Sequence, residues 1–305
     1  MYTDAQGRKW FKGNLHTHTT ASDGKLPPEE SYALYKSKGY DFLARTDHWK
    51  VSEPGDYAGM LLLSGCEYDF GSDPAEGVYH IVALGMEADP GLTRDMTPGE
   101  AVERIHANGG LANIAHPAWS LDTPEQILRY GNIFDMTEIY NSVSGLPRNA
   151  RPYSGIIVDM LASHGYCLPL IADDDVHFYV PGYDACRSFI MVEAEECTRA
   201  SILAAIQAKR FYATQGPELY VHVERAADGK DGKIIVDCSP VCEIVYLSNA
   251  VWNNHRADIA PDGERLTHGE YVPGRNDRYV RIEVRDAAGN MAWSQIIEKS
   301  AWEQA

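Results

Sequence analysis

Nine side chains in this chain have the donor atoms and the spacing of a metal centre: His16, His18, Asp23, His48, Glu67, His80, His116, Asp175 and His177. Most stand in short runs, His16-Thr17-His18, Ser22-Asp23-Gly24, Thr46-Asp47-His48, Ala115-His116-Pro117 and Asp175-Val176-His177, with Glu67 and His80 between them. A lone histidine is ordinarily a hydrogen-bonded core residue, but six in ordered short motifs read as ligands. Borderline nitrogen donors mixed with hard oxygens favour Zn²⁺, Mn²⁺ or Fe²⁺ over Ca²⁺ or Mg²⁺, and ligands spread over separate elements suit a multinuclear centre. Divalent ions lower the pKa of a bound water toward neutrality and withdraw charge from an ester under attack. The expected chemistry is therefore hydrolysis with no protein nucleophile, and neither a Gly-x-Ser-x-Gly run nor a catalytic cysteine pattern is present.

Positioning such a set requires elements that deliver ligands from many points of the chain to one place. Short apolar runs predict strands at Gly13–His18, Asp41–Thr46, Leu61–Glu67, Tyr79–Leu84, Leu111–Ala115, Met136–Ile139, Leu168–Ala172 and Ser188–Val192. Helices are predicted at Pro28–Lys38, Pro98–Asn108, Pro124–Tyr130, Pro152–His164 and Arg199–Lys209. Four of these open at a proline, which suits a first turn whose N–H has no helical partner. The alternation predicts repeated βα units, and every proposed ligand falls at or just after the C-terminal end of a strand, where βα-barrels collect their active-site groups. On a strand, side chains alternate with period two, so His16 and His18 face the same way and can grip a single ion.

These motifs, in this order, resemble the PHP family, the polymerase-and-histidinol-phosphatase metal-dependent phosphoesterases. The resemblance covers residues 13 to about 214 and rests on the His-x-His, Ser-Asp-Gly, Thr-Asp-His, Ala-His-Pro and Asp-x-His runs together with Glu67 and His80. It implies a distorted (β/α)7 barrel holding two or three divalent metals. It further implies that His16, His18, Glu67 and Asp175 hold the first ion. Glu67, His80 and His116 hold the second, with Glu67 bridging, and Asp23, His48 and His177 hold the third. Asp23 stands where some relatives use histidine, which points to a weaker third site or one preferring a harder ion. The run Asp173-Asp174-Asp175 is more acidic than the usual pattern and leaves a part for Asp173 open.

After Gln215-Gly216-Pro217 the pattern changes to strands without helices: Leu219–Val223, Lys233–Asp237, Glu243–Ser248, Tyr279–Arg285 and Met291–Ile297. The expected organisation is an α/β metallohydrolase domain at residues 1–216 and a small antiparallel, sandwich-like β domain at 217–305. The run Tyr212 to Pro217 and the closing Ala292-Trp293-Ser294 resemble the branch of the family with a C-terminal β domain. That branch includes hydrolases of esters other than phosphate. Trp252, Trp293 and Trp302 are read either as a sugar-stacking platform or as core.

Around the ligands, Asp47 is expected to orient a ligating histidine. Arg45 is expected either to form a buried ion pair or to turn away. Arg148, Arg151 and Arg187 are the candidates for binding a phosphate, Arg148 and Arg187 foremost. Glu138 and Asn141, near a strand end, either face the site or hydrogen-bond within their loop. The formal net charge of −17, with no basic run, argues against a nucleic-acid partner. Six scattered cysteines read as reduced thiols, with a Cys238/Cys242 zinc site disfavoured for want of a second pair. The polar opening residues and the absence of any run of roughly 20 apolar residues point to a cytoplasmic protein without membrane contact. The leading expectation is a phosphoesterase acting on a small phosphorylated metabolite or nucleotide. The alternatives are a carboxylic or carbamate ester hydrolase using the same ions and, from another class, a nucleic-acid-associated accessory module.

Overall fold

The computed structural model describes residues 1–4, 6–180, 182–227, 231–252 and 255–303. It divides into two compact units, Met1–Ile157 with Ile171–Phe211, and Val158–Leu170 with Tyr212–Ala305.

In the first unit, one sheet runs in the order Gly55–Tyr57, Met60–Leu63, Phe42–Ala44, Lys9–Asn14, Phe189–Glu193. Its three central strands are parallel and its two outer ones antiparallel. A second sheet runs Leu170–Asp173, Met136–Asn141, Leu111–Ile114, Tyr79–Leu84, Gly65–Phe70. Here Tyr79–Leu84 is antiparallel to both neighbours. Among the described residues the α/β architecture takes the form of two mixed sheets joined through isolated parallel bridges at Thr17–Val176 and His48–Glu67, with strand pairs that are not all parallel. The reason is connection length: only residues 71–78 link Gly65–Phe70 to Tyr79–Leu84, too short for the crossover a parallel pair requires. The expected strand Leu61–Glu67 is broken at Ser64, whose hydroxyl and neighbouring backbone bond to Met86 and Ser52 instead of continuing one ladder.

Helices form at Pro28–Ser37, Pro98–Ala107, Pro124–Leu128, Gly155–Ser163 and Arg199–Gln207, each within a few residues of its expected span. Thr97 and Glu100 form a capping box at the second, and Thr123 and Gln126 do so at the third. The first helix lays Tyr35 into a fully buried cluster with Tyr40, Leu43, Met60 and Val176. Val176 lies between the ligand candidates Asp175 and His177, so burying it turns both of them the opposite way.

The second unit contains a three-stranded antiparallel sheet, Leu219–Glu224, Lys233–Val241, Leu266–Tyr271. Glu243–Ser248 pairs with Ala257–Ile259 on one side and Tyr279–Arg285 on the other, and Tyr279–Arg285 also pairs with Met291–Trp293. Ala257–Ile259 and Leu266–Tyr271 are strands the sequence reading did not anticipate. Ile234, Val236, Ile244, Val280, Ile282 and Trp293 are buried, and Tyr246 stacks on Tyr271 at 4.9 Å. Trp293 and Trp302 are core residues whereas Trp252 is almost fully exposed, so the three do not form a shared platform. All six cysteines are free thiols. Among the described residues no helix is long and apolar enough to cross a membrane.

Candidate metal centre

Four chain segments run side by side beneath the site. Val176 C=O accepts from His18 N–H (2.9 Å), Thr17 C=O from Thr46 N–H (2.8 Å), and Thr46 C=O from Glu67 N–H (3.0 Å). Thr17 faces away from the ligands, its hydroxyl donating to the Ala44 carbonyl. The ordered strand ends at Asn14, but residues 16–18 stay extended in this ladder, and His16 and His18 project together as the period-two reading expects. Two ligand candidates, His116 (φ 27°) and Asp175 (φ 49°), occupy the left-handed region that non-glycine residues seldom adopt. Strain of this kind persists where surrounding contacts fix it.

All nine expected ligands converge. His16 Nε2, His18 Nε2, Glu67 Oε2 and Asp175 Oδ1 lie 3.0–3.2 Å apart in every pair the structure measures. Four ligands at 2.0–2.2 Å around a tetrahedral ion would stand about 3.3–3.6 Å from one another, so this cage is close to the size of such an ion. Glu67 Oε1, the other carboxylate oxygen, faces His80 Nδ1 (2.7 Å) and His116 Nε2 (3.3 Å). A third group joins Asp23, His48 and His177 with His18, Asp23 Oδ2 standing 3.2 Å from His177 Nε2. Buried atoms with no hydrogen-bond partner among the described residues include His18 Nδ1, His48 Nδ1 and Asp175 Oδ1. Orphaned donors of this type, converging from imidazoles and carboxylates, fit divalent cations.

Tautomers and charge agree. His16 Nδ1 is 2.8 Å from Glu138 Oε1, which places the ring proton there and leaves the Nε2 lone pair to the cage. His177 Nδ1 likewise lies 2.8 Å from the Asp175 carbonyl. Burial disfavours charge on His16, yet Asp175, Glu67 and Glu138 outweigh it and hold its pKa well above the ordinary histidine value. The same contest leaves His18 pushed up to about 9, against burial, by Asp175 and Glu67. Against their own desolvation, Glu67 is held well below the carboxylate range, chiefly by His16 and His80, and Asp175 is lowered mainly by His16 and His18. The clustered carboxylates thus favour positive charge at this point, which divalent ions held by these residues would supply.

Asp122 is a contrasting case. It is buried, accepts from Val78 N–H on Oδ1, and has no partner on Oδ2 among the described residues. Burial pushes its carboxyl up to about 6, opposed by that hydrogen bond and by His116 and His80. The native chain therefore binds more protons here than the unfolded chain between about pH 4 and pH 6, and stability falls as pH rises through that window. Relative to the parent chain, Asp122→Asn is expected to gain about 2 kcal/mol of stability between pH 4 and pH 8. Urea unfolding of the chelated proteins at both pH values checks this, and a pH-independent difference would contradict it.

Surrounding residues depart in part from expectation. Among the described residues the Asp47 carboxylate bonds no imidazole: it accepts from Thr19 N–H, Thr19 Oγ1, Ser22 Oγ and Arg45 Nη1, anchoring the loop that carries Asp23. Arg45 forms that ion pair and also donates to Tyr32. Arg148 reaches the cavity, whereas Arg187 is exposed and outside its lining, and Arg151 is likewise exposed. Asp174 accepts from Tyr35 and from three backbone N–H groups of residues 186–188, which fixes that loop. Asp173 lies buried beside His16 and Glu138.

Glu138 proves central. Fully buried, it takes His16 Nδ1 and Asn113 Nδ2 on Oε1, and His116 N–H and Asn141 Nδ2 on Oε2. Asn141 also donates to Asp175 Oδ2 at 3.1 Å. One carboxylate thus steers three ligands, two of them directly. The sequence signal available for it was only its place on a predicted strand. Trp119, which borders the cavity, had no sequence signal beyond its closeness to His116.

The cavity itself has a volume of about 310 Å³. Its wall includes Asp23, His48, Glu67, His80, His116, Asp175 and His177, together with Trp119, Val143, Ser144, Arg148 and Asn149.

No family model matches the chain. An uncharacterized protein of Methanocaldococcus jannaschii is 27% identical over 118 residues, 35% of this chain and 68% of that one. Among solved structures, a two-domain protein from Bacteroides vulgatus containing a predicted PHP-like metal-dependent phosphoesterase superposes with a TM-score of 0.54. The match spans 97% of this chain and 98% of that one at 15% identity. An amidohydrolase from Chromobacterium violaceum, solved with bound sulfate and no metal, gives a TM-score of 0.42 at 19% identity, over 56% of this chain and 89% of that one. The motif resemblance and the full-length structural match agree: the chain has the fold of a two-domain PHP-like protein.

Proposed function

We propose that the chain is a metal-dependent phosphoesterase that hydrolyses a small phosphorylated metabolite or nucleotide. The observation that carries this reading is Glu67, whose two oxygens face two different imidazole sets inside one open cavity. In this reading His16, His18, Glu67 and Asp175 hold one ion, Glu67, His80 and His116 a second, and Asp23, His48 and His177 a third. Zn²⁺, Mn²⁺ or Fe²⁺ suits the donor set. Bound ions of this kind supply an activated water and neutralise charge on the ester.

The protein's own part is to place and orient. Glu138 and the Asp175 carbonyl fix the proton on the outward nitrogens of His16 and His177, leaving the inward nitrogens as lone-pair donors. Arg148, its guanidinium 4.5 Å from the Tyr179 ring, is positioned to take an anionic oxygen. The net charge of −17 supports a small substrate rather than a nucleic acid.

A carboxylic or carbamate ester is the second reading. It is favoured by one observation: Arg148 is the sole lysine or arginine in the described cavity wall, fewer cations than a dianion ordinarily recruits. Hydrolysis of p-nitrophenyl phosphate and p-nitrophenyl acetate, before and after chelation and metal restoration, separates the two. Metal-dependent phosphate release supports the first reading, and acetate cleavage without phosphate release replaces it with the second.

A further inference from the structure

Trp119 is a large aromatic side chain placed where the rest of the cavity wall is mostly polar. Its ring centroid lies 5.0 Å from that of His116 and 5.4 Å from that of His80, at 78° and 67°. It is 37% exposed, and its indole N–H has no partner among the described residues. Its seat is rigid. The short helix Pro117–Ser120 begins directly after the strained His116, Trp119 N–H donates to the His116 carbonyl at 2.9 Å, and Leu121 closes the turn in a left-handed conformation. The backbone that carries the indole is therefore held beside two ligand candidates.

The aromatic residue beside the third ligand group is arranged differently. Tyr179 stacks on His177 at 5.5 Å, its hydroxyl donates to the Asp23 carbonyl, and Arg148 and Lys25 approach its ring at 4.5 and 4.7 Å. That ring is already engaged by an imidazole and two cations, and the cations suit an anionic group. Among the described residues Trp119 has no cation over it, and it offers open aromatic surface to the cavity.

We propose that Trp119 is a stacking platform for a planar ring that the substrate carries next to its reacting ester. The inference rests on the hydrolase reading of the site and narrows the substrate class to aryl or nucleoside esters. Stacking on an indole, which has only two side-chain torsions to order, costs little conformational entropy and tolerates many ring systems, because every aromatic ring presents a π-face.

The test is equilibrium binding to the full-length Mn²⁺-loaded protein, read by calorimetry and by tryptophan fluorescence. Phenylphosphonate is compared with methylphosphonate, and benzoate with acetate, on the parent chain, Trp119→Leu and Trp119→Phe. The parent is expected to prefer the phenyl ligand by about tenfold in at least one pair. Trp119→Leu should lose that preference and Trp119→Phe should keep most of it, which also shows that the loss is not a folding defect. No phenyl preference in the parent, or a preference that survives Trp119→Leu, overturns the platform. A Trp119-dependent preference confined to the carboxylates upholds the platform and removes the phosphate reading. Phosphonate binding without a phenyl preference does the reverse.

Discussion

Glu67→Ala is expected to reduce the metal content by at least one ion per chain and to slow ester hydrolysis by about a thousandfold, the rate equivalent of about 4 kcal/mol of charge stabilisation. The asymmetry of the site sets the order of loss. Without Glu67, the group containing His80 and His116 retains only two imidazoles, fewer donors than a stable site requires. The group of His16, His18 and Asp175 retains three donors and should still bind one ion, more weakly. Elemental analysis and turnover of the same preparation check both halves. Full metal content with parental turnover would show that Glu67 bridges nothing.

The second large effect belongs to Glu138, which touches no cavity surface. Its two oxygens accept from four donors, so Glu138→Gln turns its amide N–H₂ either toward the His116 N–H, which can only donate, or toward His16 Nδ1, which can accept only by moving its proton to Nε2. In the first case His116 loses the acceptor that holds its left-handed backbone, and in the second the proton of His16 is placed on the nitrogen that faces the cage. Metal affinity is expected to fall 10- to 100-fold, the range for partners that orient a ligating histidine. Chelator competition measures this independently of turnover. An unchanged affinity would reduce Glu138 to a packing residue.

The convergence of the ligand candidates was legible in the sequence because alternation along an extended chain is a local rule. In both His16-Thr17-His18 and Asp175-Val176-His177 the middle residue goes to the core and the outer two to the site. Strand direction was not legible, because it depends on what a connection can span. The eight residues between Phe70 and Tyr79 make a hairpin where a parallel pair needs a crossover, and the antiparallel pairing of Gly65–Phe70 with Tyr79–Leu84 follows from that. Partners of buried carboxylates were also hidden. Asp47 adjoins His48 in sequence yet bonds Thr19, Ser22 and Arg45, whereas Glu138, 122 residues from His16, is the group that orients it. Arg148 and Arg187 look alike in the sequence and are both exposed, and only the fold separates the one that lines the cavity from the one that does not.

The central claim is that these nine side chains hold a cluster of divalent ions on which hydrolysis depends. Elemental analysis of the purified chain, paired with ester turnover before and after chelation, tests it most directly. The account predicts two or three ions of Zn, Mn or Fe per chain, with turnover lost on chelation and restored by the metal. A chain that binds no ion after incubation with each of these metals, or that turns over equally well without them, would contradict it.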